Sequence, residues 1–579
     1  MSANSTDTAE TGHRADIATI LERLYGSERA AACLDAIAEL TEKYRASVGP
    51  RRQWVDQSDV MLITYGDSVR APGEAPLGTL REFLAAHAGD VLSAVHLLPH
   101  YPYSSDDGFA VIDYRAVDPS LGTWSDVEDL SADFEVMMDA VINHISRRSD
   151  WFQGYLLDDP RYRDFFITAD PDADYSAVVR PRTLPLLTPV DTAHGREHVW
   201  TTFSDDQIDL NYANPTLLLE VLDILLTYVA SGARFLRLDA IGFLWKSLGT
   251  SCCHLEETHL VIQLMRRVLE AVAPGTLIIT ETNVPHRENI SYFGDGTNEA
   301  HLVYQFPLPP LVLHTFMTGN ARHLNDWAGA LEPTTPQTTY FNFLASHDGI
   351  GLRPTEGILT PDEVAEMCRR VETQGGRVSY RTGPDGGQSA YELNCNYLDA
   401  ISLPHDTDQS RAAKFLAAQS ILLSVVGVPG VYVHSLFGSR NDYAGLEQTG
   451  RNRTINREKL DRNKLQAELA TEGHLRNLVF QGMRRLLQAR RAQPAFHPNA
   501  AQEVLFLDDR VFALARGDGD ETVIAVVNVS DEPVDIRLPQ SRIPAAGASD
   551  LISGQAIDPA DGSVTVNPYS ALWIKAAER

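Results

Sequence analysis

The chain has 579 residues, 44% apolar and 22% charged, too long for one ordinary domain and ample for a large core. Its 78 acidic residues outnumber 49 basic ones, for a net charge of −29, which disfavours nucleic acid and anionic membranes as partners. Cys33, Cys252, Cys253, Cys368 and Cys395 show neither zinc nor disulfide-framework spacing, and the polar N-terminus lacks an apolar core. The expectation is a reduced, cytoplasmic protein with no membrane span.

Residues 1–14 are too polar to predict order, while 15–48 carry apolar positions at helical spacing, suggesting two short helices. Eight apolar runs then read as strands: 61–65, 91–98, 134–142, 235–241, 276–280, 301–305, 338–344 and 430–434. Helical stretches such as 216–230, 260–273 and 409–426 lie between them. Strands alternating with helices predict an α/β (β/α)8 barrel, the TIM barrel. The connection after the third strand, 145–207, is long and rich in aromatics and prolines, and reads as a subdomain over the barrel mouth. A second long loop, 371–393, is rich in glycine and arginine, with Arg377 and Arg381 standing out in so acidic a chain. From about residue 500, short strands at 504–507, 511–515, 522–527, 534–538 and 563–566 predict an antiparallel β-domain. The expected division is an N-terminal helical extension (1–56), the barrel (57–144 and 208–495), the inserted subdomain B (145–207) and the C-terminal β-domain (496–579).

Arg237 and Asp239 lie two apart inside a buried strand and so share a face. A buried charge must be paired, and a structural ion pair would satisfy that. However, three other apolar runs also end in polar residues: Asp139, Asn143 and His144 in DAVINH, Glu281 in ITETN, and His347 and Asp348 in SHD. In a parallel barrel these gather at the C-terminal mouth, where catalytic residues sit. Two carboxylates on neighbouring strands can cleave a glycosidic bond, one as nucleophile and one as acid. The short Asp239 suits the nucleophile and the longer Glu281 the reaching acid. Arg237 would keep Asp239 ionised, and His144 and His347 could donate to sugar hydroxyls. The spacing of these groups matches no compact metal motif, so no metal or cofactor is expected.

DAVINH, RLDA, ITETN and SHD, in that order, resemble the four signature regions of glycoside hydrolase family 13, the α-amylase-like enzymes. The resemblance covers roughly residues 60–460. It implies that Asp239 is the nucleophile, Glu281 the acid/base and Asp348 the transition-state stabiliser. Further motifs, PYSSDDGFAVIDY (102–114), RPR (180–182), LGTSC (248–252), LPPL (308–311) and RTINR (453–457), are similar to the sucrose phosphorylase subgroup. That implies glucose contacts from Asp106 and Arg457 and phosphate binding by Arg182. It also implies a substrate-binding set that includes Arg237, His144, His347, Phe203, Tyr391 and Glu392. The partners implied are a small α-glucoside and inorganic phosphate, and the assembly implied is a homodimer.

The chain departs from that subgroup where Phe243 replaces a tyrosine. It departs again in the loop Gln388-Ser389-Ala390-Tyr391-Glu392, where Ser389 and Glu392 replace residues that touch fructose. Segments 281–294, 346–357 and 390–394 look more like phosphorylases of glucosylglycerate and of glucosylglycerol. The expected reaction is therefore phosphorolysis of 2-O-α-glucosylglycerate with retention. Glucosylglycerol, sucrose and sucrose 6′-phosphate are alternative substrates, and an α-glucosidase-like hydrolase is a further alternative. Glycerate would need a cation, for which Arg353, Arg377 and Arg381 are candidates, whereas Glu392 would repel it unless turned aside.

Overall fold

A computed structural model describes residues 3–182, 184–382, 387–539, 547–557 and 562–576. Eight parallel strands close into a barrel in sequence order: β1 Met61–Thr64, β2 Ala94–Leu97, β3 Glu135–Ala140, β4 Ala233–Leu238, β5 Leu277–Thr280, β6 Leu302–Tyr304, β7 Thr339–Phe343 and β8 Val428–Tyr432. β8 returns to pair with β1 through Met61 and Gly430. Each strand lies within three residues of its predicted span at both ends. The apolar runs work because both faces of a barrel strand are buried, so alternation is not required. The predicted helices appear as Pro215–Ala230, Glu256–Val272 and Asp408–Ser424.

The N-terminal expectation fails in part. The first helix runs Ala3–Tyr25, not from residue 15, and the second Ser27–Arg45. Once Ile17, Ile20 and Leu21 are buried against the body, extending the helix backwards needs no new nucleus. The insertion after β3 holds a helix (Asp150–Leu156) and an antiparallel hairpin of Leu187–Thr192 with Gly195–Trp200.

The described residues of the loop read at 371–393 are instead built structure. Arg377–Thr382 pairs antiparallel with Gln388–Asn394, which in turn pairs with Ile350–Gly351 just after β7. This small sheet stands beside the barrel mouth. At the C-terminus, a six-stranded sheet and a two-stranded one form the β-domain. Its Ala571–Ala576 strand, absent from the sequence prediction, pairs with Val523–Asn528.

Candidate active site

Arg237 and Asp139 are Cα partners on β4 and β3, and the Arg237 guanidinium binds the Asp139 carboxylate directly. Arg237 also donates to Asp239 Oδ1 at 2.8 Å and lies 3.8 Å from Glu281. One buried cation therefore serves three acids. Burial works to raise the Asp139 pKa, but Arg237 and His96 (2.7 Å) outweigh it and hold it at about 2.

The backbone past β4 takes a left-handed turn at Ala240 (φ 48°), an unfavourable conformation for a residue with a side chain. The turn aims the Ala240 N–H at Glu281 Oε2, 3.1 Å away. Glu281 follows β5, and its own N–H donates to Leu238 O at 3.1 Å. Burial raises the pKa of both Asp239 and Glu281. Arg237 opposes this at each, while Glu281 adds to the rise at Asp239 and Asp348 adds to it at Glu281. At Asp239 burial outweighs the guanidinium, contrary to the simple expectation that Arg237 alone sets its charge. Two buried acids beside one guanidinium hold a proton between them more readily than either would alone.

Asp348, past β7, behaves oppositely. Burial pushes its pKa up, but Arg453 (2.6 Å), His347 and Arg457 carry it well below the usual carboxylate range. His347 stacks on Phe109 with ring centroids 4.8 Å apart.

These groups line a cavity of about 1320 Å³, counting its open mouth. Asp106, His144, Arg182, Phe203, Asp239, Glu281, His347, Asp348, Tyr391 and Glu392 all border it. Arg237 lies beneath the floor, in a small void shared with Glu281 and Asp348. Asp106 and its neighbour Asp107 both have left-handed backbones (φ 54° and 49°), tolerable for aspartate. His144 Nε2 lies 2.8 Å from Phe109 O.

Two placements differ from the sequence reading. Arg457 is not among the lining side chains. Its Nε donates to His347 O at 2.7 Å and its guanidinium pairs with Asp107, so it braces the wall from behind. Arg377 also points elsewhere, donating to Gly375 O and Gly376 O. Arg353 and Arg381 do border the cavity.

Sequence reasoning missed Arg453, the first arginine of the RTINR motif. It bridges Asp348 and Glu392, and Glu392 Oε1 also accepts the Gly349 N–H at 2.8 Å. Arg453 Nε donates to Glu392 Oε2 at 3.3 Å, so both Glu392 oxygens are engaged, which removes the expected repulsion of an anionic acceptor. A second missed cluster is the buried Lys246, 2.6 Å from Asp209 and 2.9 Å from Asn143 Oδ1. Asp209 in turn accepts the N–H and hydroxyl of Thr202, which fixes Phe203 beside His144 (5.2 Å). A lone lysine within an apolar stretch gave no signal for this. Among the described residues no group of three or more His, Cys, Asp or Glu is placed to hold a metal ion.

A parallel barrel whose acids meet at the C-terminal ends of neighbouring strands is the framework of a sugar-processing enzyme. Comparison with known proteins agrees. Residues 91–350 match the α-amylase catalytic domain and residues 503–573 the maltogenic amylase C-terminal domain. Glucosylglycerate phosphorylase of Allomeiothermus silvanus is 50% identical, covering 96% of this chain and 98% of its own. That of Escherichia coli is 45% identical, covering 96% and 99%. The crystal structure of sucrose 6F-phosphate phosphorylase from Thermoanaerobacter thermosaccharolyticum superposes with a TM-score of 0.72 at 25% identity, covering 89% of this chain and 98% of that one. The chain belongs to the α-amylase family, glycoside hydrolase family 13, in the branch of the sucrose phosphorylases and their relatives.

Proposed function

We propose that the protein is a retaining α-glucoside phosphorylase that converts 2-O-α-glucosylglycerate and phosphate to α-glucose 1-phosphate and glycerate. The observation that carries the acceptor assignment is the cationic side of the cavity. Arg182, Arg353 and Arg381 border it, and the one acid among the loop residues opposite, Glu392, is neutralised by Arg453. Two anions, glycerate and phosphate, must visit this half of the site, and a guanidinium suits both.

Asp239 attacks the anomeric carbon as Glu281 gives its proton to the leaving glycerate oxygen, and a β-glucosyl ester forms. Arg237 holds Asp239 at 2.8 Å but stands 3.8 Å from Glu281, which favours keeping the shared proton on Glu281. Asp348, ionised by its cationic neighbours, balances the oxocarbenium charge. Phosphate, held by Arg182, gives a proton to the Glu281 carboxylate and attacks from the face that glycerate left. The ester bond breaks and net retention results.

The test is release of glucose 1-phosphate from glucosylglycerate, glucosylglycerol, sucrose and sucrose 6′-phosphate, with and without phosphate. Phosphate-dependent release from glucosylglycerate is expected. Free glucose at an equal rate without phosphate would make the protein a hydrolase.

The five cysteines are free and buried, and among the described residues no helix is long and apolar enough to cross a membrane. Both fit the cytoplasmic location we propose. The proposal includes a homodimer, on the family resemblance. A sedimentation mass of one 63.9 kDa chain at micromolar concentration would remove it.

A further inference from the structure

Lys246, on the turn that follows β4, buries its side chain among polar groups next to His144. Its Nζ lies 2.6 Å from Asp209 Oδ2 and 2.9 Å from Asn143 Oδ1. Asn143 and Asp209 are fully buried and His144 nearly so. His144–Ser146 pairs antiparallel with Gln207–Asp209, which sets Asp209 opposite His144.

These contacts fix the protons. An ammonium group only donates, so the Asn143 atom that faces it is the carbonyl oxygen. The amide nitrogen then faces away from the lysine, toward Asp209 Oδ2 at 3.3 Å and His144 Nδ1 at 3.2 Å. An amide nitrogen also only donates, so His144 Nδ1 is the bare ring nitrogen. The ring proton is on Nε2, where Phe109 O accepts it at 2.8 Å. Gln207 Nε2, 3.1 Å from His144 Nε2, has acceptors of its own in Phe109 O and Asp106 Oδ2. An imidazolium would have to aim an Nδ1–H at the amide hydrogens of Asn143.

Resting on the glucoside reading above, we infer that Lys246, acting through Asn143, is a positioning residue that locks His144 as a neutral Nε2–H donor on the cavity wall. His144 borders the same cavity as Asp239 and Glu281. The transition state of glucosyl transfer is cationic, and an imidazolium on that wall would oppose it. The charged groups that bear on the ring are Asp209, Asp106 and Lys246. Burial lowers the His144 pKa and Lys246 adds to the fall, against Asp209, Phe109 O and Asp106.

Asn143→Asp tests the lock with a side chain of the same shape. One carboxylate oxygen keeps Lys246 and the other accepts from Nδ1, so the ring can take the proton it otherwise refuses. An opposite charge this close raises an imidazole pKa by about 1–3 pH units. The acid limb of kcat/KM is expected to move up by a similar amount, because transfer needs the neutral ring. The double variant with His144→Gln should match His144→Gln alone, since glutamine takes no proton. A limb that stays in place in Asn143→Asp would overturn the inference. So would a shift that persists without the histidine, because the new carboxylate would then be acting on the catalytic acids.

Should Asn143→Asp fold poorly, Lys246→Gln frees the amide to turn and moves the limb the same way. Lys246→Arg, again donor-only, keeps the wild-type limb. A merely structural ion pair predicts lower stability in Lys246→Gln with the limb unmoved, which would also overturn the inference. The ring-nitrogen NMR signals of His144, assigned with His144→Gln, report the tautomer in the free protein. A protonated Nδ1 at neutral pH overturns the inference whatever the enzyme turns over, whereas a wild type inactive on every α-glucoside strikes the functional reading.

Discussion

Arg453 grips Glu392 through both carboxylate oxygens, at 2.9 and 3.3 Å. The same guanidinium reaches Asp348 at 2.6 Å, so it is the shared counter-ion of a catalytic candidate and an acceptor-loop acid. Removing it leaves the Glu392 carboxylate no cationic partner among the described residues, only the Gly349 N–H, and strips Asp348 of its largest counter-charge. Arg453→Leu is expected to cost about 3–5 kcal/mol of unfolding free energy, the usual penalty for breaking a buried pair. It should also raise the pKa of Asp348 and shift the acid limb of kcat upward. Urea unfolding and a pH–rate profile check both, and an unchanged acid limb would show that Asp348 does not depend on Arg453.

The roles of Asp239 and Glu281 separate by leaving group. Asp239→Asn should lower kcat by about 10³ or more with every donor, because the covalent step is lost. Glu281→Gln should harm glucosylglycerate severely but spare α-glucosyl fluoride, whose leaving group needs no proton. Equal losses for both donors in the Gln variant would remove Glu281 from the acid role.

How much of this was legible depended on what each residue's signal was made of. The barrel strands were readable because burial on both faces writes continuous apolar runs. The acids were readable because Asp239, Glu281 and Asp348 each close such a run. The sheet beside the mouth was not. Arg377–Thr382 and Gln388–Asn394 alternate poorly and are held by cross-strand pairing, including an irregularity between Ser379 and Tyr380, which a glycine- and arginine-rich composition conceals. RTINR offered two guanidiniums, and nothing in five letters tells which faces the cavity. Here Arg453 does and Arg457 braces from behind. The strand Ala571–Ala576 was hidden because it inserts between two partners, Val523–Asn528 and Ala548–Asp550, neither of which is its neighbour in the chain.

Acceptor choice should reside in Arg353 more than in Arg381, since Arg381 is already committed to Glu356 at 3.2 Å. A hydrogen bond to a charged partner contributes about 1.5–3 kcal/mol. Arg353→Leu should therefore lower kcat/KM for glycerate in the synthetic direction by about 10–100-fold while changing glycerol little. Arg381→Leu should do less. A parallel fall for glycerate and glycerol would show that Arg353 shapes the site without reading the carboxylate.

Stability should fall on mild acidification through the buried histidines, with the raised pKa of Asp239 and Glu281 opposing part of that loss. His100, His347 and His434 are buried, and burial lowers each imidazole to about 3. An unfolded histidine titrates near 6.5. Between those values the unfolded chain binds protons that the folded chain refuses, so stability is fully present above about 6.5 and drains as pH falls toward 3. Each histidine contributes up to about 1.4 kcal/mol per pH unit in that window. Asp139, held at about 2, adds its loss only below the unfolded value near 3.9. Urea midpoints at pH 7.5, 6.5, 5.5 and 4.5 should therefore be flat over the first step and drop increasingly after it. His434→Gln should flatten the slope by one histidine's share, because the amide has no proton to gain. A midpoint constant down to pH 4.5 would mean these rings are protonated in the folded protein, and Arg237 and Arg476, which oppose that charge at His347 and His434, would have to move.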